Sequence, residues 1–244
     1  MSVLRPVPDG GRVPPEPAVC PFGRCDGSGW IEEEHGRARA CACLERRKRS
    51  AATRRMGTGV PKRFRGVSFE RKPICDLEPA ILRLVRQYVR DIERNLDDGR
   101  GLWFWGDVGT GKTSLAMLVS MAAERSGRSV AIYPLTRLLA EIKQTYDRDA
   151  DASYLQLFRR LSMVDLLQLD DLGTERTTEW VLEQLYSIVN ERWQDQRAIV
   201  VTTNLDHTAL REQLGARTVS RLIEICGEPL PIMGPDLRIG AGRA

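Results

Sequence analysis

The feature that most constrains this chain is a glycine-rich segment between an apolar run and a helical stretch. Residues 106–113 read Gly106-Asp107-Val108-Gly109-Thr110-Gly111-Lys112-Thr113 and complete the pattern G-x-x-x-x-G-K-[ST]. The apolar residues 102–105 precede this segment, and residues 114–123 have a helical composition. A strand, a tight loop and a helix in this order are the context that gives the pattern its meaning. A fortuitous glycine-rich turn is the weaker alternative.

The chemistry of this segment predicts that it binds a nucleoside triphosphate. Glycine lets the backbone wrap closely around a phosphate, so that backbone N–H groups point at its oxygens. The N-terminus of the following helix adds partial positive charge beneath the anion. Lys112 has the reach to contact the β- and γ-phosphates, and the Thr113 hydroxyl is suited to hold Mg²⁺.

Apolar strands alternate with helical stretches through the rest of the chain. This alternation predicts an α/β fold with a central parallel sheet flanked by helices on both faces. The predicted strands are 102–105, 129–133, 164–169 and 197–202, with a weaker fifth near 230–233. The predicted helices are 78–96, 112–126, 135–146, 151–161 and 178–193.

Two acidic residues, Asp170 and Asp171, follow the third predicted strand. The carboxyl edge of a parallel sheet is where ligands bind in open α/β folds. We therefore expect Asp170 to hold the Mg²⁺ that bridges the phosphates, and Asp171 to orient or deprotonate a water. Asn204, after the fourth predicted strand, is a weaker candidate for positioning that water. The alternative is that the acids cap the next element and that Asn204 is a turn residue.

Length and composition indicate one α/β domain with a smaller appendage. With 244 residues, of which 42% are hydrophobic and 29% charged, the chain is typical of a globular protein. It has no apolar stretch of 18 residues and no apolar signal core, so we expect no membrane contact and a cytoplasmic location. The predicted organisation is a disordered N-terminus (1–19), a cysteine unit (20–45), a basic linker (46–76) and the α/β domain (77–244).

Positive charge is concentrated before the α/β domain. The formal net charge is only +4, but residues 35–65 contain eleven Lys and Arg residues and one acid, Glu45. A basic segment of this density favours contact with a polyanion or an acidic protein face. A solvated charged linker explains it equally well.

The cysteine unit has the composition of a structural zinc site. Four thiolates form the tetrahedral ligand set of such sites, and so short a unit has too little core to fold without a metal. The expected ligands are Cys20, Cys25, Cys41 and Cys43. Their spacings are C-x₄-C and C-x-C, so His35 is an alternative ligand, and four free thiols in a disordered tail are the alternative to a metal site. Cys75 and Cys226 are interpreted as ordinary buried thiols.

Five segments in a fixed order carry a family resemblance. They are Val60-Pro61-Lys62-Arg63-Phe64 with Ser68-Phe69, Gly106–Thr113, Leu169-Asp170-Asp171-Leu172-Gly173, Thr202-Thr203-Asn204-Leu205 and Ser220-Arg221-Leu222. This set resembles the AAA+ ATPases of the DnaC/DnaI helicase-loader family, to which the transposition helper IstB is related. The resemblance covers about residues 60–238. The phosphate-binding loop alone occurs in many enzymes, whereas the ordered set is much more specific.

The resemblance implies roles for residues beyond the phosphate-binding loop of an ATP- and Mg²⁺-dependent ATPase. Asn204 matches the sensor-1 position, and Arg221 matches the arginine finger that reaches into a neighbour's ATP site. Arg238 is similar to the sensor-2 arginine and is expected to contact ATP, and Arg217 is where the family often has a further arginine. Many AAA+ proteins have Glu where this chain has Asp171, so we expect slow hydrolysis.

The resemblance also implies a function in the initiation of DNA replication. The chain would be an ATP-hydrolysing loader of the hexameric replicative DNA helicase onto single-stranded DNA, with zinc in the cysteine unit that grips the helicase. ATP-dependent oligomers of such loaders hold single-stranded DNA in a groove lined by a helical insertion. In this chain the insertion is expected within 135–161, and its candidate DNA contacts are Lys143, Tyr146, Arg148, Arg159 and Arg160.

Three alternative functions share the same phosphate-binding loop. An IstB-like transposition helper would use ATP while assembling on duplex DNA, although the cysteine unit fits it less well. A P-loop kinase would need an arginine-rich lid, which we do not find in the sequence. A nucleotide-gated adaptor would bind ATP and scarcely hydrolyse it, because Asp171 has a shorter side chain than Glu.

Overall fold

The structure is a computed structural model of the chain. It describes residues 20, 22–33, 37–44, 47, 59–146, 150–173 and 178–237, without the side chains of 146 and 150–153. Contacts divide the chain into two compact units, residues 1–45 and 46–244. The predicted disordered segment, residues 1–19, lies outside the described residues.

The smaller unit contains a two-stranded antiparallel sheet. Strand β1 (Trp30–Glu33) pairs with strand β2 (Arg37–Ala40), with Trp30 opposite Ala40 and Glu33 opposite Arg37. The hydrophobic residues buried in the unit's described part are three cysteines, against which Ile31 packs. The buried part of this unit is therefore formed mainly by cysteine side chains.

The larger unit alternates strands and helices as the sequence predicts. Its strands are β3 (Leu102–Trp105), β4 (Val130–Pro134), β5 (Leu166–Leu172), β6 (Ala198–Thr203) and β7 (Leu230–Pro231). Its helices are α1 (Pro79–Arg90), α2 (Ile92–Asp97), α3 (Lys112–Arg125), α4 (Leu135–Tyr146), α5 (Ala150–Met163), α6 (Glu179–Gln194), α7 (His207–Leu214) and α8 (Ala216–Cys226). Single 3₁₀ turns occur at Lys62–Phe64 and Ile74–Asp76. None of the helices in the described ranges is both long enough and apolar enough to cross a membrane.

The five strands form one parallel sheet in the order β4-β5-β6-β3-β7. Strand β6 therefore lies between β3, which leads into the glycine-rich loop, and β5, which carries the two acids. Because all strands are parallel, their carboxyl ends meet at one edge of the sheet. This topology brings the loop after β3 and the acids of β5 to the two sides of the end of β6.

Hydrophobic clusters cover both faces of the sheet, which explains the continuous apolar strands. Trp103 belongs to the cluster that includes residues of α4, α5 and α6, whereas the next residue, Phe104, belongs to the cluster that includes residues of α1, α2 and α3. Both side chains are fully buried. Trp103 and Phe104 are therefore core residues.

Three parts of the larger unit differ from the sequence-based expectations. The predicted helix 78–96 is divided at Asp91 into α1 and α2. The helices α7 and α8 were not predicted. The predicted linker, 46–76, is described at residue 47 and from residue 59 onward. There Val60, Phe64, Val67 and Phe69 pack against the cluster that contains Phe104, and Ile74 belongs to that cluster. This part of the chain lacks helical periodicity, and tertiary packing rather than a local pattern gives it its structure.

Candidate functional site

The glycine-rich loop has the backbone conformation that its sequence predicts. Gly106, Gly109 and Gly111 have φ values of 137°, 79° and 99°, which are strained for residues with a side chain. A Cβ on Gly106 would lie 2.3 Å from the carbonyl oxygen of Ile232. Gly111 precedes the first turn of α3, so that the loop leads directly into the N-terminus of this helix. These positions need glycine for both conformation and space.

Lys112 is held against the loop by the loop's own carbonyl groups. Its Nζ donates to the carbonyl oxygen of Gly106 at 2.9 Å and to that of Asp107 at 2.5 Å. The side chain is 5% exposed, although it carries a charge. Thr110 Oγ1 also donates to the Asp107 carbonyl oxygen, at 2.9 Å. The ammonium group is thus fixed at the loop, where it can neutralise an anion.

The two acids occupy an irregularity in the pairing of β5 with β6. The register shifts between Leu169 and Leu172, and Asp171 has a left-handed φ of 56°. Thr202 of β6 bridges the acids, because its hydroxyl donates to Asp170 Oδ1 at 2.7 Å and accepts from the Asp171 N–H at 2.9 Å. Asp170 is buried and Asp171 exposed. Non-glycine residues with left-handed backbone are often functional.

The surroundings of Asp170 make ionisation of its carboxyl less favourable than it is in water. Burial raises the pKa of the Asp170 carboxyl above its ordinary value, and the neighbouring charge of Asp171 adds to this rise. Hydrogen bonds from the hydroxyls of Thr202 and Thr113 act in the opposite direction, as does the charge of Lys112. The acid of β5 and the hydroxyl of the loop therefore lie side by side, as ligands of one metal ion would.

A cavity of about 1180 Å³ brings the predicted residues together. Its lining includes the loop residues Val108, Gly109, Gly111, Lys112 and Thr113, and also Asp170, Asp171 and Asn204. The volume exceeds that of a typical small-molecule pocket. The cavity lies at the carboxyl edge of the parallel strands, where the topology predicts a ligand site.

A family model for the IstB-like ATP binding protein matches residues 92–223, which include the loop, both acids and Arg221. The chain belongs to this IstB-like ATP-binding family. The expected resemblance to AAA+ helicase loaders and to IstB is thereby confirmed, and so is the expected α/β fold with a parallel sheet.

Relatives of this IstB-like chain include proteins named replicative helicase loader DnaC. The protein of this name from Buchnera aphidicola subsp. Schizaphis graminum is 27% identical over 192 residues, which cover 78% of this chain and 77% of the relative. The one from Escherichia coli K12 is 29% identical over 194 residues, with the same coverage. The crystal structure of the DnaC helicase loader superposes with a TM-score of 0.59 at 25% identity, covering 72% of this chain and all of the other.

The residues of this IstB-like chain fit ATP with Mg²⁺. The loop offers backbone N–H groups and Lys112 to the phosphates, and Asp170 and Thr113 offer the oxygen ligands that Mg²⁺ prefers. Asp171 and Asn204 line the same cavity, with Asn204 following directly after β6. The roles of the individual residues in binding and hydrolysis stay predictions. Arg238, the predicted sensor-2 arginine, lies outside the described residues.

Part of the cavity wall comes from residues that the sequence did not indicate as site residues. Arg63, Phe64 and Lys72 line the cavity, although they fall in the segment predicted to be a linker. Asp236 also lines it, and its Oδ1 would be 1.9 Å from a Cβ on Gly109. The Leu237 N–H donates to the Gly109 carbonyl oxygen at 3.1 Å, so the chain after β7 is hydrogen-bonded to the loop.

Arg221 does not line the cavity of its own chain. It lies in α8, where its Nη1 contacts Glu224 Oε1 at 2.8 Å and its Cζ lies 3.5 Å from the ring centroid of Trp193. With Arg217 it lines a separate groove of about 360 Å³. The expected role of Arg221 at the ATP site of another copy of the chain stays a prediction.

The four cysteines predicted to bind zinc converge in the smaller unit. Their Sγ atoms all lie within 4.8 Å of one another. The Sγ atoms of Cys20 and Cys41 are 3.8 Å apart, and those of Cys25 and Cys43 are 3.4 Å apart. Two sulfur atoms bound to one zinc ion in tetrahedral geometry, each at about 2.3 Å from it, would be about 3.8 Å apart. None of the six cysteines forms a disulfide; Cys226 is buried as interpreted, whereas Cys75 is exposed, so its interpretation as a buried thiol is wrong. The sulfur geometry is therefore compatible with zinc; His35, the alternative ligand, lies outside the described residues.

Hydrogen bonds within the smaller unit favour the metal-binding form of one cysteine. Burial acts to raise the pKa of the Cys20 thiol, but three backbone N–H groups, foremost those of Arg24 and Phe22, lower it to about 6. A thiolate is the form that binds a metal.

The candidate DNA contacts in the α4–α5 region are not equivalent. Arg160 donates to the Tyr133 hydroxyl and, at 3.1 Å, to Glu141 Oε2, so it is engaged within the protein. Lys143 Nζ lies 5.8 Å from the ring centroid of Trp180. Arg159 is exposed. Arg148 and the side chain of Tyr146 lie outside the described residues.

Proposed function

We propose that this protein loads a ring-shaped replicative DNA helicase onto single-stranded DNA and is controlled by ATP. The observation that carries the proposal is the similarity to relatives named replicative helicase loader, which extends over 78% of this chain and 77% of the first relative. The similarity therefore does not depend on the phosphate-binding loop alone. The cysteine cluster supports the proposal, because a separate folded unit is available to grip the helicase.

In the proposed cycle the chain hydrolyses ATP slowly. The loop and Lys112 bind the phosphates, and Asp170 and Thr113 hold the Mg²⁺, which neutralises charge on the phosphate oxygens. Asp171 accepts the proton of the attacking water, and Asn204 orients that water. Arg221 from a neighbouring copy stabilises the charge that develops on the transferred phosphoryl group. Hydrolysis of ATP thus requires that copies of the chain assemble. Hydrolysis then releases the DNA.

The competing proposal is an ATP-dependent transposition helper that assembles on duplex DNA. It is favoured by the family model, whose description names IstB. DNA preference separates the two proposals, since a loader binds the exposed bases of a single strand by stacking and by charge. Fluorescence anisotropy with labelled oligonucleotides in ATP and in ADP measures this preference. We expect single-stranded DNA to bind at least tenfold more tightly than duplex in ATP.

The deciding experiment is capture of purified replicative helicase from the same organism on the immobilised full-length protein. We expect capture in ATP·Mg²⁺ by the wild type and by Cys75→Ser, whose cysteine lies outside the cluster. Cys41→Ser, which removes a proposed zinc ligand, should lose capture and keep ATP binding. If the zinc-loaded wild type captures no helicase, the loader proposal is wrong.

A further inference from the structure

An indole, a guanidinium and a carboxylate form a closed group on two neighbouring helices. The guanidinium of Arg221 in α8 lies with its Cζ 3.5 Å from the ring centroid of Trp193 in α6. Its Nη1 donates to Glu224 Oε1 at 2.8 Å. Trp193 Nε1 donates to the other oxygen of this carboxylate, Oε2, at 2.7 Å. Each of the three side chains therefore contacts the other two.

This group restricts the conformations of Arg221. A free arginine side chain samples many rotamers, and ordering it costs conformational entropy. A guanidinium that stacks on an indole is attracted to the ring face, whereas its N–H donors point within its own plane. Glu224 is fixed in turn by the bond from Trp193. The donors of Arg221 are thus ordered before any ligand arrives.

The group stands beside an open groove. Arg221 has 30% of its side chain exposed, and the groove is lined by Tyr186, Ala216, Arg217, Ser220 and Arg221. Within the described part of the chain, Arg221 donates to Glu224 and stacks on Trp193, and neither of these two residues lines the phosphate cavity. The ordered cation is therefore available to a molecule that docks at the groove.

We propose that Trp193 and Glu224 are positioning residues that hold Arg221 ready for the triphosphate of a neighbouring copy of this chain. The inference rests on the proposed function, in which Arg221 acts across the interface. Exposed ion pairs are weak, so phosphate oxygens displace Glu224 from the guanidinium at little cost. The stack on Trp193 needs no N–H donor and persists when the phosphate binds. Trp193 fixes the orientation of the Arg221 guanidinium. Before the phosphate binds, Glu224 fixes the positions of Arg221 and Trp193 relative to each other, because it accepts a hydrogen bond from each.

Mixed assemblies of two inactive variants test this role. The acceptor, Arg221→Ala, keeps its ATP site and lacks the finger. The donor, Lys112→Ala, keeps the finger and lacks the ATP site. We expect each variant alone to hydrolyse little ATP in the presence of single-stranded DNA, and the mixture to recover turnover. Trp193→Ala is then introduced either into the donor or into the acceptor, so that one substitution is compared in two places.

In the donor, Trp193→Ala should lower the recovered turnover at least tenfold, with little change in KM, because misplaced catalytic groups lose rate steeply. In the acceptor the same substitution should leave the recovered turnover within twofold, because the finger is already absent there. Trp193→Phe in the donor keeps an aromatic face and should retain at least a third of the turnover. Glu224→Ala in the donor should lower it severalfold.

The outcomes separate the inference from the proposed function. Equal losses from Trp193→Ala in donor and acceptor indicate a merely structural role and overturn the inference. An unchanged turnover with the substituted donor also overturns it, while the finger assignment stands. If donor and acceptor with intact Trp193 do not complement each other, the assignment of Arg221 as the finger is wrong, and the positioning role falls with it.

Discussion

Lys112 is the residue on which nucleotide binding is expected to depend most. Its ammonium group is buried at the loop by carbonyl oxygens of Gly106 and Asp107, in the position where a triphosphate needs a counter-charge. We expect Lys112→Ala to weaken ATP binding at least a hundredfold, as measured by titration with a fluorescent ATP analogue. Lys62→Ala, at an exposed lysine that does not line the cavity, should bind normally. Nanomolar-to-micromolar affinity in Lys112→Ala would contradict the assignment.

Asp236 is a residue whose removal should strengthen binding. Its carboxylate lies so close to Gly109 that only a glycine leaves space for it, and it lines the cavity that receives the phosphates. Like charges in a partly buried site repel each other. We expect Asp236→Asn to lower the Kd for ATP about three- to tenfold, and Asp236→Glu to leave it near the wild-type value. A weaker affinity in Asp236→Asn means that the carboxylate helps to bind the ligand.

The sequence predicted the cavity residues that belong to the nucleotide-binding motifs. It missed residues from other segments that line the same cavity. The loop, the acids Asp170 and Asp171, and Asn204 each follow a predicted strand, and the structure brings them to one cavity. Arg63 lies in a segment that carries the family resemblance, but no local pattern indicates that it or Asp236 lines the phosphate cavity. Their proximity results from the packing of distant segments on the sheet, which no local pattern records.

Asp165 connects the starts of three neighbouring strands. It precedes β5, and its Oδ2 accepts from the N–H and the hydroxyl of Ser129, before β4, at 2.9 and 2.6 Å. Its Oδ1 lies 3.6 Å from Arg128 and 3.5 Å from Arg197, which precedes β6. Burial alone acts to raise the pKa of Asp165, but the hydrogen bonds and the two charges outweigh burial and lower it.

This lowered pKa makes the contribution of Asp165 dependent on pH. The pKa of Asp165 is lower in the folded protein than in the unfolded protein. Its stabilising effect is therefore fully present at pH values above the unfolded-state pKa, and it is lost as the pH falls through the folded-state pKa. We expect Asp165→Asn to lower the free energy of unfolding by about 1–3 kcal/mol at pH 7 and at pH 5. Urea denaturation should show this difference shrinking below about pH 4.

An exposed aspartate supplies the control for this comparison. Asp98 is 40% exposed and lies 3.8 Å from Arg94 and 3.4 Å from Arg100. Exposed ion pairs contribute about 0–1 kcal/mol, so Asp98→Asn should have a small effect at every pH. A difference of the same size for Asp165→Asn at pH 7 and pH 3 would show that its effect arises from packing rather than from charge.

The sequence predicted the central elements well because their signals are local. The apolar runs of β3 to β6 are continuous, and burial of both sheet faces produces such runs. Helices α7 and α8 are short and are joined at Gly215, so neither has a long amphipathic pattern. The sequence does contain a typical N-cap residue before α7, Asp206, and in the structure its side chain accepts a hydrogen bond from the Ala209 N–H. The division at Asp91 has no proline or glycine to mark it.

At the scale of the whole molecule, the two compact units predict separable stabilities. The larger unit has two hydrophobic clusters, whereas the interior of the smaller unit is formed mainly by cysteines. A unit with so little apolar interior is expected to depend on the proposed zinc, so that removal of the metal should unfold it. The larger unit needs no such support.

We therefore expect about one Zn²⁺ per chain by atomic emission, lost in Cys41→Ser and Cys43→Ser and retained in Cys75→Ser. Chelation should abolish capture of the helicase and leave the Kd for ATP within twofold, because the loop and Asp170 belong to the other unit. Trp30 lies on β1 and is half exposed, so its fluorescence should report the unfolding of the small unit. If removal of the zinc also weakened ATP binding, the two units would not fold independently.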